Sequence, residues 1–213
     1  MQRARRTALV AALAVLGVVA LAGCRTQPNV AAYVGDTRIT EAQVNEVVDE
    51  VKSQVNKGSL GRARQEVVSW LVMGRVADQL VRDRGYPVAQ PDYDALAQDA
   101  RLPANTKLSR VYGDLFVRMD ALSNKLPPAQ PTPADLRAIY EAQRAAGSIP
   151  PDMTYEQAVS QIDPDQIARL VGLRNELRDQ AVRMHVSVNP KYRPLTLPLG
   201  ALAVPLGSDT DAL

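Results

Sequence analysis

Cysteine and histidine are almost absent from this 213-residue sequence, which contains one of each, Cys24 and His185. A single cysteine excludes an intramolecular disulfide and a cysteine-rich metal site. A single histidine excludes a polyhistidine metal site and leaves most histidine-dependent catalysis hard to assemble. Because His185 lies between a helical stripe and an alternating segment, we interpret it as an ordinary surface or sheet residue.

The motifs of common catalytic and cofactor sites are also missing. The sequence has no P-loop, no glycine-rich dinucleotide turn, no Gly-x-Ser-x-Gly elbow and no His-Glu-x-x-His zinc helix. Neighbouring carboxylates, such as Asp163 and Asp165, have local explanations as helix caps and solvated helix faces. We therefore expect a protein that is not an enzyme and that has no cofactor and no metal site.

Neither sign of charge dominates the sequence, whose formal net charge is +2. Three of its 25 basic residues, Arg3, Arg5 and Arg6, precede an apolar run from Ala8 to Ala22. Removing that segment removes three positive charges and leaves a net charge of −1. The basic character then belongs to the segment rather than to the folded protein, so we expect no nucleic-acid partner.

The first 24 residues have the organisation of a bacterial secretory signal, with a basic start, an apolar run and small residues before a cleavage point. Leu21, Ala22, Gly23 and Cys24 resemble the lipobox of bacterial lipoproteins. The resemblance implies that Cys24 receives a diacylglycerol thioether and becomes the mature N-terminus. Two alternatives stay open, an uncleaved membrane anchor and a secreted protein with an incidental cysteine, although the apolar run is short for a span of about 20 residues.

These features predict a signal peptide over residues 1–23 and a short tether over residues 24–29. The folded domain is then expected over residues 30–192. We expect it to lie on the extracytoplasmic face of the cell membrane, held to the lipid bilayer through acylated Cys24.

The folded domain begins with a short strand-turn or hairpin over Val30 to Thr40, where apolar residues flank a Gly-Asp turn. Thr40 and Gln43 have the spacing of a capping box, and five valines follow at helical intervals up to Val55. This pattern predicts a helix that ends near Lys57-Gly58.

Further apolar stripes predict a mainly α fold. A long helix is expected from about Leu60 to Arg84, stopped by Gly85, with its buried face formed by Val67, Val68, Leu71, Val72, Val76, Leu80 and Val81. The remaining helices are expected at about 92–101 and 106–125, after Thr132, as a short helix after Thr154, and from Asp163 to about Met184. A strand is expected at 185–189.

Two proline-containing segments separate or follow these elements. Residues 126–131 predict a stiff, extended connector, because proline blocks helix continuation and restricts the residue before it. The tail over residues 193–213 has no helical stripe, and its prolines argue against a central strand. We therefore expect it to be irregular.

Large flexible and aromatic side chains are the candidates for a peptide-binding groove, because such side chains dominate peptide contacts. Methionines at helical spacing are also ordinary core residues, and that alternative stays open. The candidates are Trp70, Met73, Tyr112, Phe116 and Met119.

The order of elements resembles the SurA-type N-terminal chaperone domain. The stretch from Ala32 to Thr40, running directly into Glu41 to Val44, looks like its short strand, Gly-Asp turn and threonine-capped helix. Thr132 to Tyr140 is similar to the helix that leads toward the parvulin module in SurA-like and PrsA-like foldases. Val186 to Tyr192 resembles the closing strand. The resemblance implies a helical bundle in which N-terminal and C-terminal strands pair.

The same comparison indicates which activity is missing. A parvulin module needs about a hundred residues between the helix at Tyr140 and the last helix, and only Glu141 to Asp163 are present. Parvulin sites also use paired histidines. The resemblance therefore implies a chaperone-like protein that binds unfolded or apolar segments of exported polypeptides without isomerase activity. The alternative is a structural lipoprotein with one dedicated cell-envelope partner.

Overall fold

A computed structural model describes residues 29–53, 57–193, 195–199 and 202–206 of the chain. Within these ranges the fold is mainly helical with a small β element, as predicted. The helices are α1 (Glu41–Val51), α2 (Leu60–Arg84), α3 (Tyr93–Asp99), α4 (Lys107–Ser123), α5 (Pro133–Ala145), α6 (Tyr155–Ser160) and α7 (Pro164–Arg183).

An antiparallel three-stranded sheet joins the two ends of the domain. It contains β1 (Val30–Val34), β2 (Thr37–Thr40) and β3 (Ser187–Val188), in the order β2-β1-β3. Gly35 occupies the β1–β2 turn at φ +58°, a left-handed conformation that favours glycine. The predicted pairing of N-terminal and C-terminal strands is confirmed, because Ala32 lies opposite Val188.

Local capping residues place the helix starts. The Thr40 hydroxyl accepts a hydrogen bond from the Gln43 amide at 3.2 Å, and the Gln43 side chain accepts one from the Thr40 amide at 2.8 Å. The same reciprocal arrangement occurs at Thr106, Thr132 and Thr154. Each satisfies two amides that a helix start leaves without partners.

The predicted boundaries of α2 are confirmed, since this helix ends at Arg84 and Gly85 adopts φ +64°. Strand β3 is shorter than predicted, because His185 is exposed, adopts φ +49° and belongs to the turn that ends α7. The valine stripe of α1 is buried as far as Val51, and Val55 lies outside the described residues.

The main hydrophobic core surrounds α2, which packs against α1, α4, α7 and β1. Six of the seven residues predicted to form its buried face are buried, and Leu71 is half-buried. Among the aliphatic residues of this core, Val44, Val48, Val68, Val72 and Leu177 are essentially inaccessible. Burial of apolar area on this scale is the main favourable contribution to folding.

The prediction of an irregular tail is wrong for part of residues 193–213. Two antiparallel strands, β4 (Leu195–Leu199) and β5 (Leu202–Leu206), form a hairpin that packs on α2, α5 and α7. Pro198 and Pro205 are tolerated because a two-stranded hairpin has only edge strands, where a missing amide donor need not interrupt a ladder. Leu195, Leu202 and Val204 are buried.

The proline-containing connector crosses α7 at close range. Leu126 is buried, and the Ala129 amide donates a hydrogen bond to the Ala168 carbonyl at 2.8 Å. The connector passes over Gly172, where a Cβ atom would lie 2.3 Å from the Pro127 carbonyl oxygen. Glycine is therefore required at position 172 for the backbones to approach this closely.

A largely buried ion pair holds α5 against α7. Asp135 accepts hydrogen bonds from Arg174 and from the backbone amide and hydroxyl of Thr132, the last two at 2.9 and 2.8 Å. Burial alone would raise the pKa of the Asp135 carboxyl. The hydrogen bonds from Arg174 and Thr132 outweigh that effect and lower its pKa from 3.8 to about 2.

We expect Asp135→Asn to lower the free energy of unfolding by about 2 kcal/mol at neutral pH, because it leaves Arg174 without its charged partner. A carboxyl whose folded-state pKa is lowered stabilises the fold above its unfolded-state pKa of 3.8 and loses that contribution as pH falls toward about 2. The difference between wild type and Asp135→Asn should therefore shrink between pH 5 and about pH 2 in urea titrations. A stability difference between the two proteins that does not change with pH would contradict the lowered pKa of Asp135.

Candidate functional site

Three of the predicted binding residues form a row of aromatic rings on α2 and α4. The ring centroids of Trp70 and Tyr112 are 5.5 Å apart, and those of Tyr112 and Phe116 are 6.1 Å apart. Both separations fall in the range of favourable aromatic pairs. Tyr112 and Phe116 are four residues apart on α4, so the helix places them on one face.

The row is open to solvent at one end. Phe116 is 44% exposed and is one of three large apolar side chains that the described residues leave exposed, with Val88 and Val182. Trp70 and Tyr112 are half-buried. The row therefore offers accessible aromatic surface backed by a packed helix pair.

Met73 is not part of this surface, and its prediction as a binding residue is wrong. Its side chain is fully buried in the main core. The reason is that α2 is contacted from several sides, so its buried face extends beyond a single stripe. Met119 is half-buried and packs against the same core.

A groove of about 230 Å³ lies beside Trp70, between α2 and α4. Leu71, Val111 and Leu115 supply apolar walls, and Gly74 leaves space at the α2 side. A Cβ atom at Gly74 would meet no heavy atom within 4 Å. We call this space, with its aromatic row, the α2–α4 groove.

Charged side chains of both signs border the groove. Arg118 donates a hydrogen bond from Nε to Asp78 Oδ1 at 3.0 Å, and Arg82 pairs with Asp78 Oδ2 at 2.6 Å. Arg75 and Asp114 also line it. With two basic and two acidic lining residues, the groove has no dominant charge to select an acidic or a basic ligand.

Helix α3 supports the α4 side of the groove. The Tyr93 hydroxyl donates a hydrogen bond to Asp114 Oδ1 at 2.9 Å, and this bond, with burial, raises the pKa of Tyr93. Tyr93 lies over Gly113, where a Cβ atom would come within 2.8 Å of the ring. Tyr93 therefore stays protonated at neutral pH and orients the carboxylate at the groove edge.

The sequence predicted the three aromatic residues as binding candidates, but not their arrangement in a row and not the groove residues Gly74, Asp78 and Arg118. One signal was available, because a glycine in the interior of a predicted helix is unfavourable by about 1 kcal/mol relative to alanine and often has a packing or functional reason. The predicted lipobox residues Leu21, Ala22, Gly23 and Cys24 lie outside the described residues.

No protein-family model, curated protein or solved structure matches this chain. In the ranges that the structure describes, no helix is both long and apolar enough to cross a membrane. The same ranges contain no group of three or more histidine, cysteine, aspartate or glutamate side chains that could hold a metal ion.

Proposed function

We propose that this chain is a lipid-anchored, extracytoplasmic chaperone-like protein that binds unfolded or apolar segments of exported polypeptides. The observation that carries the proposal is the α2–α4 groove, in which the partly exposed row of Trp70, Tyr112 and Phe116 adjoins a recess with apolar walls and charged edges. Aromatic side chains bury large areas at small loss of conformational entropy, and they dominate peptide contacts. The lack of a dominant charge suits apolar segments of varied sequence.

The SurA-type resemblance supports the same proposal, and the missing parvulin segment argues against isomerase activity. The lipobox at Cys24 supports membrane anchoring. Strand β1 begins at Val30, so a tether over residues 24–29 could extend at most about 20 Å. The proposal therefore places Val30, where the folded domain begins, within about 20 Å of the membrane surface.

We expect Gly74→Met to weaken binding of an unfolded client by at least about tenfold. The methionine side chain would extend into the open space beside Gly74 and occupy the groove without a backbone clash. The measurement is suppression of aggregation of a reduced, unfolded client, together with fluorescence anisotropy of a labelled apolar peptide.

Gly61→Met is the matched control for that variant. Gly61 lies on the same helix, is exposed and meets nothing within 4 Å, but it does not line the groove. Both changes replace a helical glycine by a better helix former, so neither should destabilise the fold. Equal suppression of client aggregation and equal peptide binding by the wild-type protein and Gly74→Met would overturn the proposal.

The second candidate function is a lipoprotein with one dedicated cell-envelope partner. The ordered ion pairs of Asp78 with Arg118 and Arg82 favour it, because fixed charges at a groove edge give specificity for a complementary surface. Affinity capture from membranes distinguishes the candidates. Capture of one protein in stoichiometric amount by the wild-type protein, and its loss with Gly74→Met, would support a dedicated partner. Capture of many unfolded proteins would support the chaperone-like function.

A further inference from the structure

A second cleft opens between α5, α6 and α7, and it shares no lining residue with the α2–α4 groove. Its volume is about 430 Å³, within the range of pockets that hold ligands. The apolar lining is aliphatic, and its main members are Ile139, Ile149, Met153, Ile162, Ile167 and Leu170. We call it the aliphatic cleft.

The polar groups of the aliphatic cleft are mostly neutral amides. Gln143, Gln161 and Gln166 line it, and their side chains make no hydrogen bond to the described residues. The one ionisable lining residue is Asp163, whose Oδ1 accepts the Asp165 amide at 2.9 Å at the start of α7. An amide both donates and accepts hydrogen bonds, as a peptide group does.

The cleft also continues an interface that is already occupied by an extended apolar segment of this chain. Leu202 of β5 is buried in one cluster with Ile139, Ile167 and Val171. Ile139 and Ile167 also line the cleft. The same two isoleucines therefore belong to the cluster that buries Leu202 and border the open space of the cleft.

We infer that the aliphatic cleft binds an extended, uncharged polypeptide segment with aliphatic side chains, as a second site separate from the α2–α4 groove. The aliphatic walls match such side chains, and the three glutamine amides match the donors and acceptors of a peptide backbone. A lipid acyl chain would use the walls but would need none of the amides. The inference rests on the proposed function in that the occupant is a polypeptide.

The test uses a fluorescein-labelled decapeptide of alternating valine and serine with blocked ends, and measures its anisotropy with the full-length protein. The variant is Ile149→Asp, which places a carboxylate in the apolar wall. Ile149 is half-buried and belongs to neither core cluster, so the fold should persist. We expect at least about tenfold weaker binding. A smaller loss is expected for Gln166→Ala, which retains the wall and removes an amide.

Val182→Asp is the matched control, because it makes the same type of change at an apolar α7 residue that is 70% exposed and outside the cleft. It should bind the peptide as wild type does. If Ile149→Asp leaves peptide binding unchanged, the inference is wrong, while the Gly74→Met comparison still tests the proposed function independently. If palmitate binds and is lost with Ile149→Asp while the peptide does not compete, an acyl chain is the occupant and the inference is also wrong.

Discussion

Changing Cys24 to serine should abolish both acylation and membrane retention of the processed protein. A serine hydroxyl cannot form the thioether that the lipobox resemblance predicts at Cys24. A single acyl chain binds membranes only marginally, whereas two or more hold a protein stably, so loss of the lipid group should leave no stable anchor. Metabolic labelling with an alkynyl fatty acid and membrane fractionation of the mature-size species provide the measurement.

Gly23→Ala is the control for that change, because it keeps a small residue before Cys24 and should retain both label and membrane location. Accumulation of an unprocessed, unlabelled precursor in Cys24→Ser cells would agree with the lipobox reading. A mature-size Cys24→Ser protein that stays on the membrane would contradict it.

The second large effect is expected at Gly172, where alanine should lower the free energy of unfolding by about 2 kcal/mol. The added Cβ would lie 2.3 Å from the Pro127 carbonyl oxygen and 3.3 Å from the Ala129 nitrogen. Both neighbours are backbone atoms of a stiff connector, so neither can move as a side-chain end would. The gain in helix propensity, up to about 1 kcal/mol, offsets only part of the strain.

Gly74→Ala provides the opposite expectation in the same assay. Gly74 also lies within a long helix, but its Cβ would meet nothing within 4 Å, so alanine there should stabilise the fold by about 0.5–1 kcal/mol. Urea unfolding of the two variants measures both effects. A Gly172→Ala protein as stable as wild type would show that the connector does not press on α7 in solution.

The features that sequence reasoning predicted well are local ones. The threonine caps at Thr40, Thr132 and Thr154 and the stop at Gly85 depend on residues within a few positions of each other. The apolar stripe of α2 is likewise visible in the sequence alone. Such elements are predictable because the residues that form their capping hydrogen bonds and apolar faces all lie within or next to one helix.

The features that were missed depend on packing between distant segments. Leu202 is buried because α5 and α7 form a surface on which the hairpin packs. The prolines of the tail therefore led to the wrong prediction of an irregular segment. Met73 and Met119 look alike in sequence, yet one is fully buried and the other half-buried. The aliphatic cleft includes Ile149 and Met153, which lie between helices in a segment without periodicity.

The α2–α4 groove was predictable only in part, because some of its features lie within one helix and others depend on how two helices pack. Tyr112 and Phe116 share a helix face by spacing, which the sequence reveals. The open space at Gly74 and the ion pairs of Asp78 require the relative position of α2 and α4, which spacing within either helix does not determine.

The most direct test of the central claim uses Trp70, the single tryptophan of the chain, which lies in the α2–α4 groove. Titration with an unfolded, tryptophan-free client should shift Trp70 emission to the blue in a saturable manner, because the client excludes water from the indole. The client concentration at the midpoint of the shift should be at least about tenfold higher for Gly74→Met and unchanged for Gly61→Met. Client binding that leaves Trp70 emission unchanged in the wild-type protein would contradict the account.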